Sequence, residues 1–526
     1  MVIIRSDTPD IEIPVVSITD YVLRHADRLA DKPALIEASS GRVVTYGRLK
    51  ASVEKLAGGL AARGFGKGDV LAIFCPNMPE YATIFFAVAS LGGINTTANP
   101  LYTADELGKQ LKDSGARYLV TVGPFLDKAL VAAEQAGVEE VFCIGPGEGA
   151  TPFATLLEHD FKAPKVDIDP KEDLVVLPYS SGTTGLPKGV MLSHYNLVAN
   201  LCQCEGMEGF SGFEERDVVL GVLPFFHIYG MVVIKAFSLA QGGTVVTMPR
   251  FELEDFLGTM QRYEVTIGPL VPPIVLALAK HPIVDQYDLG SLRLIFSGAA
   301  PLGEALAKEA SERLGCPVIQ GYGMTEASPV THLTPHDQGA DNPGSIGKVV
   351  PNTECLIVDV ESAEPLGYNT EGELWIRGPQ IMRGYLGRDD ETAACLDADG
   401  WYHTGDIGTV DMSGYFYIVD RVKELIKFKG MQVAPAELEA LLLTHSAVAD
   451  AAVIPKADEE AGEIPKAFIV LKAGETSSSD EIMGFVSGKV APHKRIRELE
   501  FVEQIPKSAS GKILRRELVQ RERARA

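Results

Sequence analysis

The stretch Tyr179-Ser-Ser-Gly-Thr-Thr-Gly-Leu-Pro-Lys-Gly-Val190 concentrates phosphate-binding chemistry directly after an apolar run that reads as a strand. Glycines let backbone N–H groups approach an anion closely, and the hydroxyls and Lys188 add donors. Lys188 is followed by Gly189 rather than Ser or Thr, and the Gly-x-x-x-x-Gly-Lys spacing is absent, which argues against a P-loop kinase or GTPase. Other residues of chemical interest lie far downstream. In Gln320-Gly-Tyr-Gly-Met-Thr-Glu326, glycines flank an aromatic ring that could stack on a base. Asp406 follows Gly405 and could accept two sugar hydroxyls, or could simply cap a turn. Lys512 sits in the glycine-hinged basic loop Ser510-Gly-Lys-Ile-Leu-Arg515, where an ammonium could neutralise a pair of anions or point into solvent. Lys423 and Lys427 stand i,i+4, a spacing that also fits a plain charged helix face. His227, in the apolar run Leu223-Pro-Phe-Phe-His-Ile-Tyr-Gly230, could be a core histidine or a site residue.

These residues need a scaffold of alternating strands and helices. Asp69-Val-Leu-Ala-Ile-Phe74 precedes a helical pattern over 80–90, and Asp173-Leu-Val-Val-Leu177 precedes one over 193–203. Thr244-Val-Val-Thr247 precedes 252–263, and Leu292-Arg-Leu-Ile-Phe296 precedes 303–314. Strands alternating with helices of this length predict βα units and largely parallel sheets. Between 371 and 419 the texture changes to short glycine-punctuated strands, which suits an antiparallel barrel or sheet. After Asp420 a charged stretch opens a last piece predicted as helix 436–444, strands 448–454 and 466–472, and helix 479–490.

The 526 residues exceed what one core usually serves, so more than one domain is expected. With 46% hydrophobic and 23% charged residues the composition is that of an ordinary globular protein. The net charge of −23 argues against a nucleic-acid binder, and the charge is uneven. From Arg421 onward 18 Lys+Arg face 16 Asp+Glu, whereas the first 420 residues hold 30 against 55. No run of 18 uncharged apolar residues occurs, so no membrane insertion is expected. Seven scattered cysteines without metal-ligand spacing suggest reduced, mostly buried thiols. No secretory signal or peroxisomal address is visible at the two ends, and a cytoplasmic location is the expectation.

The phosphate loop resembles the signature of the adenylate-forming superfamily, which includes acyl- and aryl-CoA synthetases, peptide-synthetase adenylation domains and beetle luciferases. Further matches follow in order: Pro224-Phe-Phe-His-Ile-Tyr-Gly230, Ser297-Gly-Ala-Ala-Pro-Leu302, Gln320–Glu326, Tyr402-His-Thr-Gly-Asp406, the segment 419–435, and Pro506-Lys-Ser-Ala-Ser-Gly-Lys-Ile-Leu-Arg515. Their wording is most similar to the 4-coumarate-CoA ligase branch, including bacterial cinnamate-CoA ligase-like members. The resemblance implies an α/β multidomain fold. Residues 1–420 would form a large part of two βα subdomains plus a β-barrel, and 421–526 a small mobile α+β domain.

It also implies roles. ATP would be held by Ser180, Ser181, Gly182, Thr183, Thr184 and Lys188 at its phosphates, by Gln320, Gly321 and Tyr322 around adenine, by Thr325 at the α-phosphate, and by Asp406 with Arg421 at the ribose. Glu326 would help hold Mg²⁺, a hard cation suited to carboxylate and phosphate oxygens. Lys512 would serve adenylation, His227 would orient the acyl carboxylate, and rotation about Lys423 would replace Lys512 with a face carrying Lys427 and Gln432 for thioester formation. Coenzyme A would meet Arg250, Lys429 and Gly430. The partners implied are a small carboxylic acid, ATP and CoA, and the chain is expected as a monomer or weak homodimer.

The acyl pocket maps by resemblance to Tyr229, Val232, Val233, Gly298, Gly321, Gly323, Pro329 and Val330. Plant 4-coumarate ligases commonly carry Asn and Ser where this chain has Val232 and Val233. A buried phenolic hydroxyl would lose partners there, so cinnamate or a medium-chain fatty acid fits as well as or better than 4-coumarate. A luciferase-like oxygenase or a carrier-loading adenylation enzyme would share the same motifs. A non-catalytic nucleotide binder is the reading from another class, and it would have no need of Lys512, Lys427, Asp406 and Glu326 together.

Overall fold

The computed structural model describes residues 2–180, 187–210, 213–335, 342, 344–429, 431–458, 461–508 and 511–525, with the Gln432 side chain outside that set. Two largely parallel sheets carry the first 350 residues, as the alternating pattern predicts. In one, Leu174–Ser180, Ile94–Thr97, Val70–Phe74, Ala116–Val122 and Glu140–Ile144 run parallel side by side. Its Val70–Phe74 strand is buried on both faces, which is why it reads as an unbroken apolar run. In the other, six parallel strands run in the order Val318–Gly323, Leu294–Ser297, Ile267–Leu270, Val218–Gly221, Thr244–Thr247 and Pro33–Glu37, with antiparallel strands added at both edges. The four predicted strand–helix pairs are all present, with helices Pro79–Ser90, His194–Gly206, Leu253–Arg262 and Glu304–Leu314.

The region of short strands is antiparallel throughout, in the order Ile4–Arg5, Glu354–Val358, Gly372–Arg377, Tyr402–Val410, Phe416–Arg421. Among the described residues hydrogen bonding joins these five as one antiparallel ribbon, with Gly347 bridging Phe416 at its edge. Arg421 ends the last of these strands and Ile426 begins the first strand of a separate five-stranded sheet in the tail. That tail sheet packs helices Pro435–Leu443, Ser479–Ser487 and Arg515–Arg523. Its two hydrophobic clusters draw no residue from before Ile426, while Leu425 and Ala434 close onto Ile407 of the ribbon.

Residues Tyr229–Phe237 form a π-helix, a winding that sequence periodicity did not reveal and that tends to occur at functional sites. Its inner face carries an unusual buried amine. Lys235 is fully buried, and its Nζ has no hydrogen-bond partner among the described residues. The Nζ lies 3.5 Å from the centroid of the Phe85 ring and 5.3 Å from those of Tyr81 and Phe86. Aromatic faces attract a cation but do not replace its water shell, so burial holds the Lys235 amine well below its ordinary range.

Lys235→Met should therefore raise the denaturation free energy by about 1–3 kcal/mol at neutral pH. Because the unfolded lysine binds a proton that the folded one resists, wild-type stability should also rise with pH more steeply than that of Lys235→Met. Denaturation midpoints of both proteins at pH 7 and 9 decide this, and parallel shifts would show that Lys235 is charged in the fold.

Candidate active site

The phosphate loop leaves the sheet at Ser180 and returns at Lys188, whose strands pair antiparallel so that Ser180 and Lys188 face each other. Ser181, Gly182, Thr183 and Thr184, between them, lie outside the described residues. The Ser180 hydroxyl is buried and has no partner among the described residues, which leaves a donor at the loop's mouth. Lys188 forms an ion pair with Glu391, and its Nζ stands 4.9 Å from the centroid of the Tyr385 ring. The Tyr385 hydroxyl donates to Glu326 at 2.9 Å. Glu391 and Tyr385, which sequence reasoning missed, thus connect the loop to the Gln320–Glu326 motif. No signature marked them, because they lie in a turn-rich segment between motifs.

Glu326 is buried at the turn Thr325–Ala327, and Thr325 is partly exposed beside it. Gly323 is a position that tolerates no side chain, since a Cβ there would lie 2.2 Å from the Pro329 carbonyl oxygen. Gln320 does not offer a free amide to a nucleotide. Its Nε2 donates to the Leu302 carbonyl and its Oε1 accepts from the Leu302 N–H, both at 3.0 Å, so the side chain pins the loop after Gly298. Gln320 thus supports this loop through its side chain, and its backbone, in the strand that carries Tyr322, remains the part that a nucleotide would meet.

Asp406 is buried on the antiparallel ribbon, directly opposite Arg421. Arg421 Nε donates to its Oδ1 at 2.9 Å, and the Tyr322 hydroxyl donates to its Oδ2. Burial and the Asp406 carboxylate hold the Tyr322 phenol protonated, and the same carboxylate raises Arg421 further. One carboxylate thus joins the nine-stranded sheet to the ribbon.

Lys512 arrives from the tail on a tight hairpin. Lys507 bridges Ile513, Ser508 N–H donates to the Lys512 carbonyl at 2.8 Å, and the Lys512 N–H donates to Ser508 Oγ at 3.2 Å. Gly511, at φ +79°, lies against Pro273 so closely that a Cβ would stand 3.3 Å from its Cγ. The Lys512 ammonium is enclosed, and burial and Arg421 lower its pKa while Asp406 and Glu326 oppose that shift. It therefore lies within the electrostatic reach of both acids, which are far from it in sequence. Burial and Lys512 together push the His227 imidazole down to about 3, so it is neutral at physiological pH. Its Nδ1 accepts the Tyr229 N–H at 3.3 Å, which places the ring proton on Nε2 as a donor.

Next to His227 a cleft is lined by Leu223, Pro224, Tyr229, Gly230 and Val271. The Tyr229 hydroxyl is spent on the Phe296 carbonyl at 2.8 Å. Gly298 leaves room for the Tyr229 ring, since a Cβ there would sit 3.1 Å from Cε1, and a Cβ on Gly321 would lie 2.4 Å from Phe296 Cζ. Phe296, which no motif marked, stands between them. Behind it an apolar cavity is walled by Val232, Val233 and Val330 together with Phe210, Phe213 and Phe237. The polar side chain on its wall, Asn200, is committed to both backbone groups of Val330, at 2.7 and 3.0 Å.

The remaining predicted residues are not at this cleft's centre. Lys427 and Lys429 are exposed on the tail hairpin that follows Ile426, and the Lys427 N–H donates to Glu463 at 2.8 Å. Lys423 is exposed in the turn joining ribbon and tail, and Arg250 is exposed after strand Thr244–Thr247. Gly430 and the side chain of Gln432 lie outside the described residues.

Comparison with known proteins agrees with this geometry. Residues 22–386 match the AMP-binding enzyme family and residues 437–512 the AMP-binding enzyme C-terminal domain. The chain is 45% identical to 4-coumarate–CoA ligase 2 of Petroselinum crispum over 98% of its own length and 96% of the relative's. It is 44% identical to 4-coumarate–CoA ligase 3 of Arabidopsis thaliana, over 98% and 93%. Among solved structures it resembles an anthranilate CoA ligase in complex with anthranoyl-AMP, with a TM-score of 0.88, 28% identity and 97% of each chain covered. It also resembles ATP-bound MatB from Rhodopseudomonas palustris, with a TM-score of 0.86, 28% identity, and 96% and 99% covered. By these matches the chain is a member of the AMP-binding enzyme family, one that joins a carboxylic acid to CoA at the expense of ATP through an acyl adenylate.

Proposed function

We propose that the preferred acid carries an apolar distal end, of the cinnamate or medium-chain type, and that the cleft at His227 receives its carboxylate. The observation that supports this most is the wall behind Phe296. Its valines and phenylalanines offer no hydrogen bond, and its one amide is already spent.

In this reading the chain's own residues run the first step as follows. Neutral His227 donates from Nε2 to one carboxylate oxygen and holds the other toward the α-phosphorus of ATP. An O–P bond forms as the bond to the pyrophosphate oxygen breaks. Lys512 sits where both anions converge and neutralises charge without transferring a proton. Asp406 takes the ribose hydroxyls by exchanging its contact with Tyr322, while Arg421 keeps it in place. Among the described residues no group of three His, Cys, Asp or Glu could enclose a metal, so Mg²⁺ would be held by Glu326 and the phosphates themselves. Such an ion would offset phosphate charge, and the Glu326 carboxylate, held at Oε1 by the Tyr385 hydroxyl, would offer it an oxygen ligand.

In the second step the CoA thiol attacks the acyl carbon and AMP leaves. Lys427 and Lys429 lie on a different part of the tail from Lys512, on the exposed hairpin after the joint at 421–425. This supports a mobile tail domain beginning at 421 that turns about Lys423, with Lys427 and Gln432 serving thioester formation and Arg250, Lys429 and Gly430 serving CoA. No helix among the described residues is long and apolar enough to cross a membrane. All seven cysteines are free and six are buried, as a reducing, cytoplasmic setting favours. The chain is proposed to act as a monomer or weak homodimer.

The two lysines should separate the half-reactions. Lys512→Ala is expected to slow acyl-adenylate formation by about 100-fold or more while thioester formation from added acyl-AMP changes less than about threefold. Lys427→Ala should do the opposite. Pyrophosphate exchange into ATP and single-turnover thioester assays read the two steps, and equal losses in both would sink the assignment.

The apolar wall predicts that cinnamate is used at least as well as 4-coumarate. A phenolic hydroxyl facing Val232 and Val233 loses its water without a partner, a cost of about 1–3 kcal/mol, or about 5- to 150-fold in kcat/KM. Val232→Asn should restore part of that for 4-coumarate and penalise cinnamate. Steady-state constants for both acids test it. A wild type that strongly favours 4-coumarate, unmoved by the substitution, would remove this reading's support.

A further inference from the structure

Lys512 has to reach the same depth in the cleft each time the tail docks, and the hairpin that carries it lies at Gly511 against Pro273 and Val271 of the large domain. A second connection lies three residues further on. Arg515 opens the helix Arg515–Arg523, which Leu518 roots in the tail core beside Ile454, Phe468 and Ile505. Leu514 N–H donates back to the Pro506 carbonyl at 2.8 Å, so Arg515 and Lys512 share one short, closed piece of backbone.

The Arg515 guanidinium points into the joint between ribbon and tail. One of its Nη groups donates to Glu424 and the other to Glu439. These side chains are largely withdrawn from solvent, with exposures of 16% for Arg515, 26% for Glu424 and 9% for Glu439. Glu439 is fixed by accepting the Val453 N–H at 2.7 Å. Glu424 belongs to the connecting turn, where its own N–H and that of Leu425 donate to the Arg421 carbonyl at 2.9 and 3.1 Å. Arg421 in turn holds Asp406.

The contacts therefore close a ring. It runs from Lys512 along three residues to Arg515, across to Glu424, back through the turn to Arg421, and from there to Asp406, whose field Lys512 feels. We propose that Arg515, through its ion pair with Glu424, is a positioning residue that sets the depth of Lys512 against Asp406 and so governs adenylation and not thioester formation. The inference rests on the assignment of Lys512 to the adenylation step. Asp420, buried beside this cluster, accepts the Ala436 N–H at 2.8 Å and ties the ribbon's last strand to the helix that carries Glu439. Burial pushes Asp420 up to about 6 and Glu439 up to about 7, as expected where three acids share one guanidinium. Arg515 is thus the cation that both Glu424 and Glu439 engage at this joint.

The test uses the full-length enzyme with whichever of cinnamate and 4-coumarate the wild type activates faster. Arg515→Met and Glu424→Gln are each expected to slow pyrophosphate exchange by about 10- to 100-fold, because a displacement of about 1 Å at a reacting group costs that much. Thioester formation from added acyl-AMP should stay within about threefold of wild type. The double variant should be no slower than the slower single one, since both break the same contact. Arg515→Lys, which keeps the charge but loses the fork, should recover part of the exchange rate. Glu424→Gln keeps the joint's shape, so it carries the test if Arg515→Met fails to fold. Equal loss of both half-reactions, additive losses in the double variant, or unchanged exchange in Glu424→Gln would overturn the proposal. Lys512→Ala is run in parallel: if it fails to separate the half-reactions, the fault lies with the Lys512 assignment, and if it separates them while Glu424→Gln does nothing, the fault lies with Arg515.

Discussion

Asp406 is the point at which the separately folded parts of this enzyme meet. The ribbon supplies the carboxylate, the nine-stranded sheet supplies Tyr322, the last ribbon strand supplies Arg421, and the tail delivers Lys512 within its field. A buried carboxylate is costly unless it is paired and hydrogen-bonded. Here the cost is offset only when all three parts are in register, so the electrostatics of one side chain report on the docking of the whole molecule. Among the described residues, no cofactor-like cage of protein ligands does this work. The site is assembled from charges that each need the others.

That assembly explains the division of labour in the cleft. At the nucleotide end, polar groups are numerous and mostly committed, as with Gln320 to Leu302 and Tyr385 to Glu326. At the acyl end, side chains are apolar and backbone carbonyls absorb the available hydroxyls, as Phe296 does for Tyr229. His227 stays neutral because burial and Lys512 both resist its protonation, so the cleft holds an uncharged donor beside a cation and not two competing cations.

Much of this was legible in the sequence because it rests on local rules. Unbroken apolar runs such as Val70–Phe74 could only be buried parallel strands, and the tail helices and strands fell within a few residues of their predicted limits. The motif residues that meet in space, Asp406, Arg421, Tyr322 and Lys512, were marked by glycine-rich contexts and resemblance. What the sequence hid depends on contacts between distant segments. Glu391 and Tyr385 have no motif, Phe296 looks like any strand phenylalanine, and Arg515 looks like one of several tail arginines until Glu424 and Glu439 are seen around it. The pairing of the Gln320 amide with Leu302 was hidden for the same reason, since the partner lies eighteen residues away on the neighbouring loop. Lys235 was also invisible, because nothing in its one-dimensional neighbourhood shows that the π-helix turns it into an aromatic box.

The uneven charge of the chain acquires a physical meaning from the same contacts. Before a triphosphate enters, the cations that would meet it are held by acids: Lys188 by Glu391, Arg421 by Asp406, and Lys512 in the field of Asp406 and Glu326. These pairs keep the cations oriented at little cost in the free enzyme. They are also asymmetric, since the Lys188 side chain is 14% exposed whereas Glu391 is 42% exposed. An arriving phosphate can therefore displace the more solvated partner, which returns to water, while the lysine stays where the loop at Ser180 holds it. Pre-pairing of this kind exchanges one anion for another instead of gathering cations from solution, so little reorganisation remains to be done at the moment of reaction. The tail, more nearly balanced in charge than the acidic body, brings one further cation, Lys512, into the field of these acids.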